Sequence, residues 1–172
     1  MSRTASFYSD PVTEPLRPPR PDDEPALLAL NNDHAVELSE LTLTGLRELF
    51  ALAWRVRVTD DATAMVVALD QDSASDAENF QWFRRRYDRF AYIDRVVVAP
   101  AARGRGLARA LYTDVISAAQ ASGHTVLCAE VNLDPPNPAS DAFHLAMGFE
   151  EVGRAELTTQ PKMVRYYTRA ID

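Results

Sequence analysis

The chain has 172 residues, 47% of them hydrophobic, and a formal net charge of −7; this composition suits one globular domain and excludes a disordered or fibrous chain. Its acidity argues against nucleic acid as a partner, no apolar run approaches the ~20 residues of a membrane span, and no signal-peptide segment is expected. Cys128 is the single cysteine, which excludes an internal disulfide and a multi-cysteine metal site; no metal is expected, Cys128 reads as a small buried hydrophobe, and a cytoplasmic location fits.

Six of the eleven prolines fall in the first 25 residues, so residues 1–24 are expected to form a flexible Pro-rich tail, extended or disordered, and residues 25–172 the single domain. Residues 26–30 read as a first strand, followed by a polar turn at Asn31, Asn32, Asp33 and His34. Apolar spacing predicts a helix within 41–52, capped near Thr42 or Thr44. Residues 54–59 and 63–69 flank Asp60-Asp61-Ala62 as an antiparallel hairpin. A polar loop over 71–79 leads to an aromatic helix over 80–87, with Phe80, Phe83 and Tyr87 on one face.

A strand follows over 90–99, then a helix over 107–121 closed by Gly123, then a strand over 124–132. A crossover helix of that length makes the two strands parallel. Residues 134–138 form a proline-punctuated loop, 139–146 a short helix ended by Gly148, and 149–154 with 162–169 a terminal antiparallel pair. The expected fold is α/β, a mixed sheet with helices on both faces.

The richest segment runs Val96-Val97-Val98-Ala99-Pro100-Ala101-Ala102-Arg103-Gly104-Arg105-Gly106-Leu107-Ala108. It reads as a strand, a tight loop and a helix N-terminus, where unpaired amides and the helix dipole favour a phosphate. A dinucleotide fingerprint would want a small residue at position 109, which is Arg109; a nucleoside-triphosphate loop would want a closing Gly-Lys-Ser/Thr, which is absent.

What remains, Arg103-Gly104-Arg105-Gly106-Leu107-Ala108, resembles the Gln/Arg-x-x-Gly-x-Gly/Ala signature of the GNAT superfamily of acyl-CoA-dependent N-acyltransferases. The preceding YIDRVVVAP, the helix after the loop, the next strand, and the stretch from Asn137 to HLAMGF at Phe149 follow that family's order. The resemblance implies an acetyl-CoA-dependent N-acetyltransferase acting on a primary amine, with acetyl-CoA as co-substrate and a homodimer as in many relatives. By the same resemblance the amides of residues 103–108 cradle the pyrophosphate, Arg103, Arg105 and Arg109 add charge, and the backbone of Val96, Val97 and Val98 meets the pantetheine. Asn137 matches an asparagine that contacts pantetheine, although Asn137 also suits a helix cap.

Acyl transfer to an ammonium needs a base, and two carboxylates compete for that role. Asp94 lies four residues before Val98 and is placed on the same face of its strand; Glu130 lies near the end of the adjacent strand. Asp94 is equally suited to an ion pair with Arg95. Where many relatives carry a tyrosine acid, four residues before Gly148, this chain has His144, which can donate a proton or simply pack. Tyr112, Tyr166 and Tyr167 are substitutes. Acceptor contacts are expected from Asn31, Asn32, Asp33, Glu37, Trp82 and Tyr87, against ordinary turn chemistry for the asparagines. The alternatives to an enzyme are a non-catalytic acyl-CoA-binding sensor and an interaction domain on the same fold.

Overall fold

The computed structural model describes residues 14–172; the first thirteen residues of the expected tail lie outside it. Seven strands form one sheet in the order β1-β2-β3-β4-β5-β7-β6. They are β1 (Leu16–Arg17), β2 (Arg55–Thr59), β3 (Ala64–Asp70), β4 (Phe90–Val98), β5 (Val126–Asp134), β6 (Glu150–Glu156) and β7 (Met163–Ala170). Only β4 and β5 pair in parallel. The helices are α1 (Glu24–Asn32), α2 (Ala35–Leu38), α3 (Leu43–Leu52), α4 (Glu78–Arg84), α5 (Leu107–Ala121) and α6 (Pro138–Ala146). Among the described residues no helix is long and apolar enough to cross a membrane.

Helices cover both faces, as expected. Leu107, Leu111 and Val115 of α5 and Phe143 of α6 pack on Val66, Ala91, Ile93 and Ala129. On the other face Leu27, Leu30 and Leu46 of α1 and α3 cover Met65, Val67 and Val97. Phe80 and Phe83 of α4 cover Phe90, Tyr92 and Tyr166 on the same side. Thr42 caps α3 by accepting the Gly45 amide at 3.0 Å.

One expected strand is a helix. Residues 26–30 belong to α1, because the segment EPALLALNN holds good helix formers, no β-branched residue and a proline in the first turn. Leu27, Leu30 and Asn31 are its buried face, at helical spacing. The first strand instead lies at Leu16–Arg17, inside the expected tail, paired to β2. Arg17 fastens it, reaching Asp23 at 2.7 Å and Asp60 at 3.0 Å. A second short helix, α2, forms within the polar run after α1.

Two features of β4 shape the site. Its pairing with β5 covers Phe90 to Ile93 against Val126 to Ala129 and then stops, although both strands continue. A bulge against β3 lets Val67 face Arg95 and Ala68 face Ile93, so Asp94 is the extra residue. Ala91 and Ile93 lie on the α5 side before the bulge, and Val96 and Val98 lie there after it. The alternation has shifted by one, and Asp94 does not share the face of Val98 as simple spacing predicts.

Trp82 locks α4 onto the sheet. Its ring stacks on Tyr166 at 4.1 Å, the Arg86 guanidinium sits over it at 3.6 Å, and a Cβ on Gly153 would stand 2.7 Å from it. Gly153→Ala is therefore expected to destabilise the fold by about 1–3 kcal/mol, read as a lower urea midpoint at unchanged m-value.

Candidate active site

The turn between β4 and α5 is built to present amides. Ala99 turns into a three-residue 3-10 turn, Pro100–Ala102, and the chain then crosses Gly104 and Gly106 at φ +78° and +75°. L side chains rarely adopt that region, and a Cβ at either position would meet no protein atom within 4 Å. The backbone is thus exposed to whatever approaches. The first helical bond of α5 runs from the Ala110 amide to the Gly106 carbonyl. Among the described residues, the amides of residues 104–109 have no acceptor. The Arg103 amide, expected in the same cradle, is already spent on the Pro100 carbonyl at 3.3 Å.

Three arginines surround this turn. Arg109 is exposed and unpaired among the described residues, Arg105 pairs with Glu14, and Arg103 donates to His34 Nε2 at 3.0 Å. Leu107 is buried, so it anchors the helix while its amide stays in the turn. Amides, a helix N-terminus and nearby guanidinium groups together fit a pyrophosphate.

From this turn a cavity of about 640 Å³ runs into the wedge where β4 and β5 part. It is walled by residues 93–98 of β4, residues 129–132 of β5, Tyr112 of α5, and Asn137 and His144 of α6. The Ala99 amide donates to the Thr63 carbonyl of the β2–β3 turn, and peptide groups alternate along a strand. Val97 therefore faces β3, while the N–H and C=O groups of Val96 and Val98 face the wedge. Of the three valines expected to meet a ligand through their backbone, two are turned to do so. Asn137 caps α6 by accepting the Ser140 amide at 3.3 Å, and its Nδ2 has no partner among the described residues.

His144 and Tyr112 form a buried pair on the cavity wall. His144 Nδ1 lies 2.7 Å from the Ser140 carbonyl, which only accepts, so Nδ1 carries the proton. Nε2 then accepts the Tyr112 hydroxyl at 2.8 Å. Burial pushes the imidazole pKa down, and burial first, then Glu130, pushes the phenol well up. Both are neutral, and neither imidazole nitrogen has a proton aimed at the cavity, contrary to a donor role for His144.

A second cavity, about 580 Å³, meets the first across Asp94, Arg95, Glu130 and Asn132. At this junction Tyr92 donates to Glu130 at 2.6 Å. Loss of water pushes the Glu130 carboxyl up to about 8; the Tyr92 bond opposes this and the Asp94 charge adds to it. Asp94 is committed to Arg95 at 2.8 Å, and Arg95 also donates to Asn31 at 2.6 Å. Tyr92 is a partner that the sequence reading missed; its place two residues before Asp94 in the strand was the available signal.

Of the expected acceptor-side residues, Glu37 lines both cavities. Asn31 and Asn32 do not; they pin the linker after α2, binding the Ser39 carbonyl at 3.0 Å and both backbone groups of Leu41 at 2.9 Å. Tyr87 packs against Phe83 and reaches neither cavity. The segment that carries α2 runs from His34, beside the Gly104–Gly106 turn, to Ser39, whose hydroxyl donates to Gln160 at 3.1 Å. Lys162 donates to the Val36 carbonyl at 2.8 Å. The β6–β7 loop is thereby a wall of the second cavity, an assignment no local spacing pointed to.

The acetyltransferase (GNAT) family model matches residues 46–149. No curated protein sequence matches the chain. Among solved structures, the ribosomal-protein-alanine N-acetyltransferase of Brucella melitensis is 24% identical, with 90% of this chain and 98% of that one covered at a TM-score of 0.66. NAA60 of Arabidopsis thaliana, in complex with a bisubstrate analogue, is 17% identical over 91% and 97% of the two chains, at 0.69. The Salmonella typhimurium protein yncA, with its cofactor acetyl-CoA, is 20% identical over 92% and 94%, at 0.63. At these identities the likeness is one of fold.

The raised Glu130 carboxyl makes stability depend on pH. Between the usual 4.5 and about 8 the folded chain holds a proton that the unfolded chain has released. This contribution is complete below the unfolded value and is lost as pH rises through the folded one. Thermal unfolding is expected to show Glu130→Gln gaining on the wild type as pH rises across that interval. Parallel curves would mean that the carboxyl is solvated.

Proposed function

Because this chain belongs to the GNAT acetyltransferase family, we propose that it moves an acetyl group from acetyl-CoA to a primary amine, with Glu130 taking the proton that the amine must lose. The observation that carries this reading is the position of Glu130. A carboxyl poised at about 8 sits where the cavity that starts at the Gly104–Gly106 turn meets a second, polar one. A base tuned near working pH combines a usable ionised fraction with real basicity.

Acetyl-CoA supplies the activated acyl group and a thiolate leaving group. The amides of residues 104–109, with Arg103, Arg105 and Arg109, are suited to hold its pyrophosphate. The wedge-facing groups of Val96 and Val98 suit the pantetheine amides, and an N–H there is placed to donate to the thioester oxygen as negative charge develops. Glu130 loses its proton as pH rises and then accepts one from the ammonium, directly or through water. Asp94 keeps Arg95 in place and adds negative charge beside Glu130. His144 orients Tyr112 and is not the acid in this reading; a thiol with a pKa of about 8.5 leaves as thiolate without one. The occupied nitrogens of His144 also support the second reading, a binding module that holds acyl-CoA and does not turn it over.

Calorimetry is expected to show acetyl-CoA binding to the wild type and none to Gly106→Glu, which places a carboxylate in the proposed anion site and forces an L side chain onto a φ of +75°. Thiol release with an accepted amine is expected to rise with pH to a plateau above about 8. Glu130→Gln is expected to lose that rise and about 10²–10⁴-fold in kcat/KM. Cofactor binding with no thiol release from any amine would favour the binding module. His144→Phe is expected to lower kcat without changing the shape of the pH profile. Loss of a limb of that profile would restore His144 as an acid.

A further inference from the structure

The second cavity carries information about the acceptor, and the inference drawn from it rests on the transferase reading above. It is a slot between the linker after α2 and the β6–β7 loop, bridged by the Ser39–Gln160 and Lys162–Val36 contacts. Its inner end is the Glu130 carboxyl and the Tyr92 hydroxyl. A bridged slot admits a slender chain end and excludes a bulky amine.

The lining is dense in hydrogen-bonding groups. Gln81 Nε2 donates to the Ser75 carbonyl at 2.7 Å, and Asn79 Oδ1 accepts the Tyr166 hydroxyl at 2.9 Å. Among the described residues Gln81 Oε1, Asn79 Nδ2 and the Asn132 side-chain amide have no partner. Leu38, Ala77 and Leu157 are the apolar contributions. We propose that the acceptor is the α-amine at the start of a polypeptide chain, whose first peptide groups lie against these amides while the amine reaches Glu130.

The rival amines fit this lining less well. A lysine side chain presents a run of methylenes, which would dry the slot's amides without pairing them. An aliphatic polyamine adds only N–H donors, which can meet the exposed carboxylates of Glu37 and Asp76 but leave Asn79 Nδ2 unpaired. A free amino acid carries a carboxylate next to its amine and needs a cation inside the slot. Arg95 is committed to Asp94 and Asn31, Lys162 to the Val36 carbonyl, and Arg85 stands exposed at the rim. A peptide has neither problem, since its donors and acceptors recur at each residue and its first carboxyl is already an amide.

The test is a thiol-release assay with the full chain, acetyl-CoA and four acceptors. These are a short peptide with a free N-terminus and no lysine, the same peptide acetylated at its N-terminus with one lysine added, the free first amino acid, and spermidine. The expected result is a kcat/KM for the first peptide at least about tenfold above each of the others, because half-buried polar groups that a ligand dries without pairing oppose its binding. Equal or better turnover of the lysine peptide, the amino acid or spermidine overturns the peptide assignment and leaves acetyl transfer standing. Thiol release with none of the four, in protein that binds acetyl-CoA by calorimetry, counts against the transferase reading and takes this assignment with it.

Discussion

Everything at the candidate site follows from the loss of pairing between β4 and β5 beyond Ile93 and Ala129. β5 is held along nearly its whole length by β7, and β4 continues against β3 to Val98, so neither strand can bend back to close the gap. The bulge at Asp94 adds local twist to β4 where the two strands part. The wedge leaves backbone donors and acceptors without sheet partners inside the domain. Such groups are costly to leave dry, and they suit the extended, amide-bearing ligand proposed for this cavity.

The same opening sets the electrostatics. Glu130 sits on β5 just past the last paired residue, where it is away from bulk water and has a neutral phenol as its closest partner. The Arg95 charge lowers the Glu130 pKa only in part, since the guanidinium is bound to Asp94 and Asn31 and burial outweighs it. Two carboxyl groups near one another thus have different fates. Asp94 is paired with Arg95, and Glu130 keeps its proton until pH approaches 8. Asn31 connects this chemistry to the scaffold, because the side chain that receives Arg95 also holds the Ser39 carbonyl and so the linker over the acceptor slot.

Elements whose signals are local were legible in the sequence. The apolar stripe and glycine ends of α5, the hairpin around Asp60, and the strand–loop–helix at Gly104 and Gly106 stand as their patterns predict. Residues 26–30 misled because a short apolar run does not separate strand from helix by period alone; the absence of β-branched residues was the better guide. The face of Asp94 was misread because a bulge depends on the partner strand, which a single strand's spacing cannot register. The Tyr112–His144 pair, the Tyr92–Glu130 bond and the β6–β7 wall join residues far apart in the chain, and nothing in their local sequence announces those contacts.

The turn at Gly104 and Gly106 has a bearing on how this protein tolerates change. The anion grip proposed for it uses peptide groups, which every residue type carries, so what that grip demands of the sequence is freedom of backbone angle and an open space above the turn. On that proposal the donor half is robust to side-chain exchange yet brittle at two positions. The slot beyond Glu130 has the opposite character. Its proposed selectivity is written in the amide side chains of Asn79, Gln81 and Asn132, so on that proposal single exchanges there redirect the protein to another amine while the fold and the turn at Gly104 and Gly106 stay as they are.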